Sequence, residues 1–419
     1  MRILWITNVL LPPVCKKLGL PSPVSGGWLQ SSAEVLSKNP NISLSVVSPY
    51  KGEKLVECSD NGVIYYCMPT KVGIGVNVGA LRQYWEHISA TVRPDVIHIH
   101  GTEFTLGYSF VNYYGNNNVV ASIQGLTSII AKYYLSDISY STIYKYTTLR
   151  DLFFGGIIKE KKQFERGGWF ERELLKGINH VIGRTTWDFS HVKAINPEIE
   201  YHFCNETLRE SFASKCWRYD RCKKYTIFLS QCNYPIKGLH IFLKALEIVK
   251  EKYPNVQVRI AGKDFVKTTG LYDILKRRTY GNLLNKQLKK YGLLDHVEFT
   301  GVLDEEEMGH ELLNANLFVC PSSIENSSNS ICEAQMVGTP VIASYVGGTP
   351  DLLPNSSCGY LYRFEEYEML ASLIIKVFKE SCQFDNTLMR ETARSRHDKQ
   401  TNFKQLMSIY QDIVCNDNK

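Results

Sequence analysis

The chain lacks any run of about 18 apolar residues, so the sequence predicts no helix that crosses a membrane. Its first six residues are apolar over too short a stretch for a signal peptide and are typical of a first strand. The 12 cysteines form no C-x-x-C pair and have no partner histidines at zinc-binding spacing. We therefore expect reduced thiols in a cytoplasmic protein, and neither a disulfide scaffold nor a zinc ribbon.

Charge of one sign is not in large excess either. The formal net charge is +6 over 419 residues, and charged residues make up 21%. Hydrophobic residues make up 44%, close to the average of globular proteins, which excludes disordered, collagen-like and coiled-coil classes. The mild positive charge suits an anionic small molecule or a membrane surface. It falls short of the dense basic stripes of proteins that bind nucleic acid, so no nucleic-acid partner is expected.

Strands and helices alternate along the chain, most clearly in its C-terminal half. The predicted strands there cover 225–232, 256–261, 297–301, 317–322 and 341–344, and the helices 239–249, 283–291, 305–315 and 330–337. The N-terminal half shows a looser version, with strands at 2–9, 43–47, 63–68, 96–100, 119–123 and 180–183. This alternation predicts an α/β fold with two doubly wound, Rossmann-like domains.

The predicted boundaries place the first domain at 1–200 and the second at 201–385. Residues 386–419 are helical in pattern with no strand after them, and we expect one helix that returns across the first domain. An insertion at 126–179 interrupts the alternation of the first domain and is rich in Tyr, Phe, Lys and Arg.

Two interpretations of the insertion remain open. Charged runs on helices are usually a solvated face, which favours a long helical insertion without a partner. Aromatic residues such as Phe153 and Phe154 beside Lys159, Lys161 and Lys162 would also suit an anionic membrane surface met through residues 129–170.

The strongest functional signal is the segment 321–334, where an apolar strand ends, a small polar loop follows and a helix begins. Ligands of open parallel sheets bind at the carboxyl ends of strands, and the free amides of a helix N-terminus favour phosphate. Glu333, in the first turns of this helix, would point back toward a bound ligand and could accept two hydrogen bonds from a ribose diol. The alternative is that Ser330 and Glu333 form a capping box, which needs no ligand.

Two further loops follow predicted strands and precede predicted helices. Lys237-Gly238 would place an ammonium group at a strand end, where it could neutralise phosphate, or would simply be a surface lysine at a turn. Gly26-Gly27 would let backbone amides approach a phosphate or a sugar, although glycine pairs mostly mark turns.

The first domain offers its own candidates at strand ends. Alternation along the strand at 96–100 sends His98 and His100 to the same face, with His100 at the end of the strand. Gln124 ends the next strand, and Arg184 flanks the joint between the domains. A single histidine in such a position is more often structural than catalytic.

Together these residues resemble glycosyltransferase family 4. The resemblance lies in Glu325 and Glu333 at their spacing, followed by Gly338-Thr339-Pro340-Val341-Ile342-Ala343 and Val346-Gly347-Gly348. Looser matches are Gly26-Gly27, His98-x-His100-Gly101 and Lys237-Gly238, in the right order along nearly the whole chain. The resemblance implies the GT-B fold, two Rossmann-like domains facing a cleft, and transfer with retention of anomeric configuration.

The resemblance also implies roles for individual residues. Glu333 would bind the ribose of a nucleotide-diphosphate sugar, and Glu325 would lie near its sugar. Ser328, Asn329 and Ser330 would hold the diphosphate through backbone amides; Lys237 would bind phosphate, Gly26 and Gly27 would lie near it, and His100 would orient sugar or acceptor. No metal cofactor is expected. The acceptor would be a glycan or a lipid-linked glycan of a bacterial surface polysaccharide or capsule, made at the inner face of the plasma membrane.

The sequence departs from the family pattern at three places. Gln231 or Cys232 stands where an arginine is usual, so donor charge would rest on Lys237, helix dipoles and Arg184. Asn326-Ser327-Ser328-Asn329 replaces a glycine-rich piece, and Gln124 replaces a histidine. These departures keep two rivals open, namely a nucleotide-sugar epimerase or hydrolase on the same fold and a degenerate, non-catalytic binding partner.

Overall fold

The structure is a computed structural model that describes residues 1–21, 27–70, 78–266 and 277–416. Contacts within the chain define two compact units. Unit 1 comprises Met1–Ile129, Gln163–Arg209 and His397–Lys419, and unit 2 comprises Ile130–Lys162 and Glu210–Arg396. Each unit is built on one α/β sheet, which confirms the predicted fold class.

The described helices, in chain order, flank these sheets. They are α1 (Pro12–Leu18), α2 (Gly27–Ser37), α3 (Arg82–Val92), α4 (Thr105–Tyr114), α5 (Thr127–Ile130), α6 (Tyr140–Tyr146), α7 (Leu149–Phe154), α8 (Ile157–Gly177), α9 (Thr186–Ile195), α10 (Glu210–Ser214), α11 (Leu239–Lys252), α12 (Thr279–Lys290), α13 (Glu305–Asn314), α14 (Asn329–Val337), α15 (Thr349–Leu352), α16 (Tyr367–Glu380), α17 (Thr387–Arg396) and α18 (Lys399–Asn416).

Unit 1 contains an eight-stranded sheet. Its strands are β1 (Arg2–Ile6), β2 (Ser43–Tyr50), β3 (Val56–Asp60), β4 (Val63–Pro69), β5 (Val96–His100), β6 (Val119–Ser122), β7 (His180–Gly183) and β8 (Glu200–Phe203). They lie in the order β3-β4-β2-β1-β5-β6-β7-β8, and only β3 pairs antiparallel with its described neighbour. The centre of the sheet is therefore the parallel core that the alternation predicts.

Both faces of this sheet are buried, which explains why β1 is a continuous apolar run. Leu4 and Ile6 pack into one hydrophobic cluster, with Trp85 of α3 and Phe110 of α4. Ile3 and Trp5 point to the other face and pack with residues of α2 and α18. Side chains alternate between the two faces of a strand, so β1 contributes to the hydrophobic clusters on both faces of the sheet.

Unit 2 contains a six-stranded, all-parallel sheet. Its strands are β9 (Lys223–Leu229), β10 (Gln257–Ile260), β11 (Val297–Phe299), β12 (Ala315–Cys320), β13 (Val341–Ser344) and β14 (Tyr360–Tyr362), in the order β11-β10-β9-β12-β13-β14. Every residue of β12 is buried, as its unbroken apolar run predicts. The carboxyl ends of β9, β12 and β13 are therefore adjacent along one edge.

The predicted boundaries place the whole insertion, 126–179, in the first domain. In the structure, residues 130–162 belong to unit 2 instead. Polar contacts within unit 2 give the reason. Asp151 accepts a hydrogen bond of 2.6 Å from the Thr279 amide at the start of α12, where the helix dipole favours negative charge. The ring of His240 on α11 bonds the Ser136 carbonyl at 2.7 Å, and burial lowers the pKa of this histidine to about 4.

The C-terminal segment also differs from the single helix expected at 386–419. It forms α17 in unit 2 and α18 in unit 1, with His397 and Asp398 between them. The Asp398 carboxylate accepts a bond of 2.8 Å from the Thr401 amide, which is an N-cap that starts a new helix.

Two predictions about absent features hold for the described residues. No helix among them is long and apolar enough to cross a membrane. All 12 cysteines lie in the described ranges, and all are free thiols.

Candidate functional site

The carboxyl edge of the unit 2 sheet brings together the polar residues singled out in the C-terminal half. Lys237 ends the short 3-10 turn Pro235–Lys237 that follows β9, and the loop 321–328 follows β12. Gly347-Gly348 follows β13. Because these three strands are neighbours, the three loops meet at one place, as a ligand site of a parallel sheet requires.

Lys237 and Glu325 form an ion pair at this edge, with 2.5 Å between the Lys237 Nζ and the Glu325 Oε1. The same carboxylate oxygen accepts a bond of 2.7 Å from the Ser322 hydroxyl. Burial alone lowers the pKa of Lys237, but the charge of Glu325, with smaller effects of Tyr234 and Cys320, outweighs it and raises that pKa. The ammonium group therefore stays charged at neutral pH and is held beside a carboxylate.

Two close backbone approaches fix the loop that carries Glu325. Gly238 has φ of 69°, and a Cβ there would collide with the carbonyl oxygen of Pro321. Gly347 has φ of 52°, and a Cβ there would collide with the carbonyl oxygen of Glu325. Both positions need the left-handed region and the missing side chain that glycine provides. Gly238 and Gly347 therefore position the loop that carries Glu325.

Helix α14 begins at the far end of that loop. Ser328 is its N-cap residue and makes no side-chain capping bond to the helix. The Ser330 hydroxyl lies 3.1 Å from that of Ser328 and 3.3 Å from that of Ser230, which follows β9. Since Ser330 lies within the helix, Ser330 and Glu333 do not occupy the N-cap and N3 positions. The capping-box alternative is therefore wrong.

Glu333 is 8% exposed, one turn into α14. Gln231, where the family pattern has an arginine, is exposed, and Cys232 is buried. Burial raises the pKa of the Cys232 thiol, so neither residue supplies a positive charge.

Unit 1 has a separate cavity at the carboxyl end of its own sheet, with apolar and polar residues in its lining. Its volume is about 60 Å³, and its lining includes His98, His100, Ser122 and Arg184. The rings of His98 and His100 lie 3.8 Å apart between centroids, on the same face as predicted. His98 bonds Tyr410 of α18 and Ser122 of β6, each at 2.6 Å, and burial lowers its pKa to about 3.

His98 is therefore a neutral histidine of the core. It has the structural role that such a histidine more often has. His100 is 5% exposed, and burial lowers its pKa, with His98 adding to the effect. Arg184 pairs with Glu206 at 2.8 Å and donates to the Ile123 carbonyl at 2.9 Å. Gln124 lies in the bend after β6. Gly27 is the first residue of α2, and Gly26 lies outside the described residues.

Sequence reasoning missed two carboxylates at this edge of unit 1. Glu171 of α8 is fully buried and accepts bonds from Thr102, Thr127 and both the amide and hydroxyl of Ser128, at 2.6 to 3.1 Å. It therefore ties the loop after β6 to α8. Burial raises the pKa of Glu103 to about 8, and the charges of Glu171 and Glu206 add to this shift. Glu103 lies three residues after the end of β5. Its position near a strand end could therefore have marked it as a candidate site residue in the sequence.

Comparisons with known proteins agree with this geometry. Residues 217–396 match the family model of the glycosyl transferases group 1. A phosphatidyl-myo-inositol mannosyltransferase from Mycobacterium leprae is 24% identical over 209 residues, which are 48% of this chain and 50% of that protein. The chain therefore spans about half the length of the curated relatives it matches.

Solved structures share the fold over nearly the whole chain. Sucrose-phosphate synthase from Thermosynechococcus elongatus has a TM-score of 0.73 at 16% identity, covering 99% of this chain and 100% of that one. Anabaena HepE, solved with UDP and glucose, has a TM-score of 0.64 at 15% identity, covering 98% and 99%. Residues 217–396 therefore match the glycosyl transferases group 1, and the resemblance of the chain to the family 4 glycosyltransferases of the GT-B fold is confirmed.

Proposed function

We propose that this protein is a retaining glycosyltransferase that moves a sugar from a nucleotide-diphosphate sugar to an acceptor hydroxyl. The observation that carries the proposal is the meeting of the Lys237–Glu325 ion pair, the N-terminus of α14 and the buried Glu333 at one edge of unit 2. These groups supply a cation, free helix amides and a diol acceptor, which are the partners of a diphosphate and a ribose. HepE, solved with UDP and glucose, supports a nucleotide-sugar donor.

The ion pair gives each partner a task in this reaction. Lys237 would exchange Glu325 for the diphosphate oxygens and stabilise the negative charge that develops on the leaving group. Glu325 would then accept hydrogen bonds from hydroxyls of the transferred sugar. The amides of Asn329 and Ser330, in the first turn of α14, would hold the phosphate nearest the nucleoside. The family resemblance assigns to His100, which is buried in unit 1, the orientation of sugar or acceptor.

Replacing Glu333 with alanine should raise the Kd of the bound nucleoside diphosphate by about 10- to 100-fold. The reason is the loss of a charged acceptor, whose hydrogen bonds are worth about 1.5–3 kcal/mol each. Isothermal titration with UDP, GDP and ADP measures this. Glu391→Ala removes an exposed carboxylate from another helix of unit 2 and serves as the matched control. An unchanged Kd for Glu333→Ala would remove the ribose role.

The acceptor in this proposal is a glycan or lipid-linked glycan of a bacterial surface polysaccharide. The mannosyltransferase relative is named for phosphatidyl-myo-inositol, a lipid, which supports an acceptor at a membrane. Retention of configuration follows from the family resemblance. It is tested by the anomeric proton couplings of the product in an NMR spectrum, where inversion would contradict it.

The insertion supports a peripheral position on the inner face of the plasma membrane. Phe153 and Phe154 of α7 are 83% and 72% exposed, and Leu149 and Leu152 of the same helix are 67% and 69% exposed. Such a cluster is unusual on a water-facing surface and suits the headgroup region of a bilayer. Within the same unit, Lys145, Lys244, Lys286 and Lys290 line a cavity of about 280 Å³, which favours anionic headgroups.

The double variant Phe153→Ser with Phe154→Ser should bind vesicles of phosphatidylglycerol at least about tenfold more weakly than the wild type, because burying each phenylalanine contributes about 1.5–3 kcal/mol. Co-sedimentation with phosphatidylglycerol and with phosphatidylcholine vesicles measures the loss and the preference for anionic lipid. Met369→Ser, at a residue of unit 2 that is 49% exposed, is the control. Equal binding of all three proteins, or none by the wild type, would end the membrane proposal.

A further inference from the structure

Three side chains with metal-ligating atoms lie together at the amino ends of β7 and β8 in unit 1. His180 is the first residue of β7, and Glu200 and His202 are on β8. The strands are parallel and pair His180 with Glu200 and Ile182 with His202. Since residues two apart on a strand share a face, all three side chains point to the same side of the sheet.

The distances among the ligating atoms suit one small cation. The His180 Nδ1 lies 3.2 Å from the His202 Nε2 and 3.4 Å from the Glu200 Oε2. The His202 Nε2 lies 3.9 Å from the Glu200 Oε1. Bonds of about 2.0–2.1 Å in a tetrahedral zinc site place neighbouring ligand atoms roughly 3.3 Å apart. Two of the three separations already match this value, and a small rotation of the exposed carboxylate would shorten the third.

We propose that His180, Glu200 and His202 form a zinc site that fastens β8 to the sheet of unit 1. Two imidazoles and one carboxylate are a ligand set that Zn²⁺ accepts, and its d¹⁰ shell tolerates uneven starting geometry. A water molecule would take the fourth position. Such a site would join the two strands β7 and β8.

The location explains what this ion would do. β8 is an edge strand of four residues with an exposed residue at each end, so few apolar contacts hold it in the sheet. The strand residues that line the unit 1 cavity lie toward the opposite, carboxyl ends of their strands. The zinc is therefore structural, and its role does not depend on the proposed glycosyl transfer.

The test uses the full-length protein, dialysed against a chelator and then titrated with ZnSO₄ by calorimetry and followed by thermal melting. The wild type should bind one ion per chain, and its Tm should rise because the ion binds the folded state. Glu200→Gln removes a ligand whose side chain is 51% exposed, so the fold is kept. His202→Ala should lower the affinity more than about 100-fold, since even losing an outer-sphere partner costs 10- to 100-fold.

His87→Ala is the matched control, because His87 pairs with Glu57 on the surface of the same unit and should leave the zinc affinity unchanged. Zinc bound by cysteines instead would survive Glu200→Gln and His202→Ala, and that result would overturn the proposal. A wild-type protein that takes up no zinc, or whose Tm does not respond to it, would overturn it as well.

Discussion

Lys237→Ala is expected to lower the turnover of sugar transfer by about 100- to 1,000-fold, the range seen when one preorganised donor is removed from a developing negative charge. The ammonium is the positive charge that the loop after β9 brings to Glu325, 2.5 Å away, and its raised pKa keeps it charged. Turnover at saturating donor isolates this effect from donor binding.

Lys379→Ala is the control, because it removes an exposed lysine from α16 in the same unit. The melting temperature of both variants shows whether the fold is kept, since Glu325 loses its partner in the first of them. Wild-type turnover in a folded Lys237→Ala protein would refute the role of this lysine in leaving-group stabilisation.

Gly238→Ala should abolish most activity and lower the stability of the protein by at least about 2 kcal/mol. The left-handed region alone costs an L-residue about 1–2 kcal/mol, and the new methyl group would collide with the Pro321 carbonyl. Relief of that collision would move the loop that carries Glu325. Chemical denaturation and turnover measure the two effects separately.

Gly19→Ala separates strain from collision. Gly19 has φ of 64°, close to the 69° of Gly238, but a Cβ there would meet nothing within 4 Å. Gly19→Ala should therefore lower the stability only by the cost of the left-handed backbone conformation, about 1–2 kcal/mol, and leave turnover unchanged. If Gly238→Ala behaves like Gly19→Ala, the close approach does not position the loop that carries Glu325.

The second sheet and the loops that meet at its carboxyl edge could be predicted from sequence because each signal is local. The apolar run of β12, the small residues after it and the helix α14 lie within one segment, and Lys237 ends the first short helical turn after β9. Parallel strands have their carboxyl ends at the same edge of the sheet, so the residues that follow those strands lie along that edge.

Features that depend on pairing between distant segments could not be predicted in this way. Glu171 reaches the loop after β6 from a helix more than 40 residues further along. His180 and His202 meet only because β8 joins the sheet, and the E-Y-H-F pattern of β8 shows no apolar run. We expected no metal because spacing along the chain offers no ligand set, whereas these side chains come together only through strand pairing.

One missed element carried a usable local signal. Strand β3 and β4 form an antiparallel hairpin whose turn contains Asn61-Gly62. This dipeptide between two strand-like runs is a strong hairpin signal. The placement of the insertion in unit 2, by contrast, rests on Asp151 and on the Ser136 carbonyl, whose partners on α12 and α11 lie more than 100 residues away.

The most direct test of the proposed function is calorimetric titration of the wild-type protein with a panel of nucleoside diphosphate sugars. A donor site at the edge of unit 2 predicts that at least one of them binds with a stoichiometry of one and a Kd in the micromolar to millimolar range typical of enzyme substrates. The matching nucleoside monophosphate should bind more weakly, because it lacks the phosphate that Lys237 would hold in the proposed site. If no nucleoside diphosphate sugar binds, the site described here is not a glycosyl donor site.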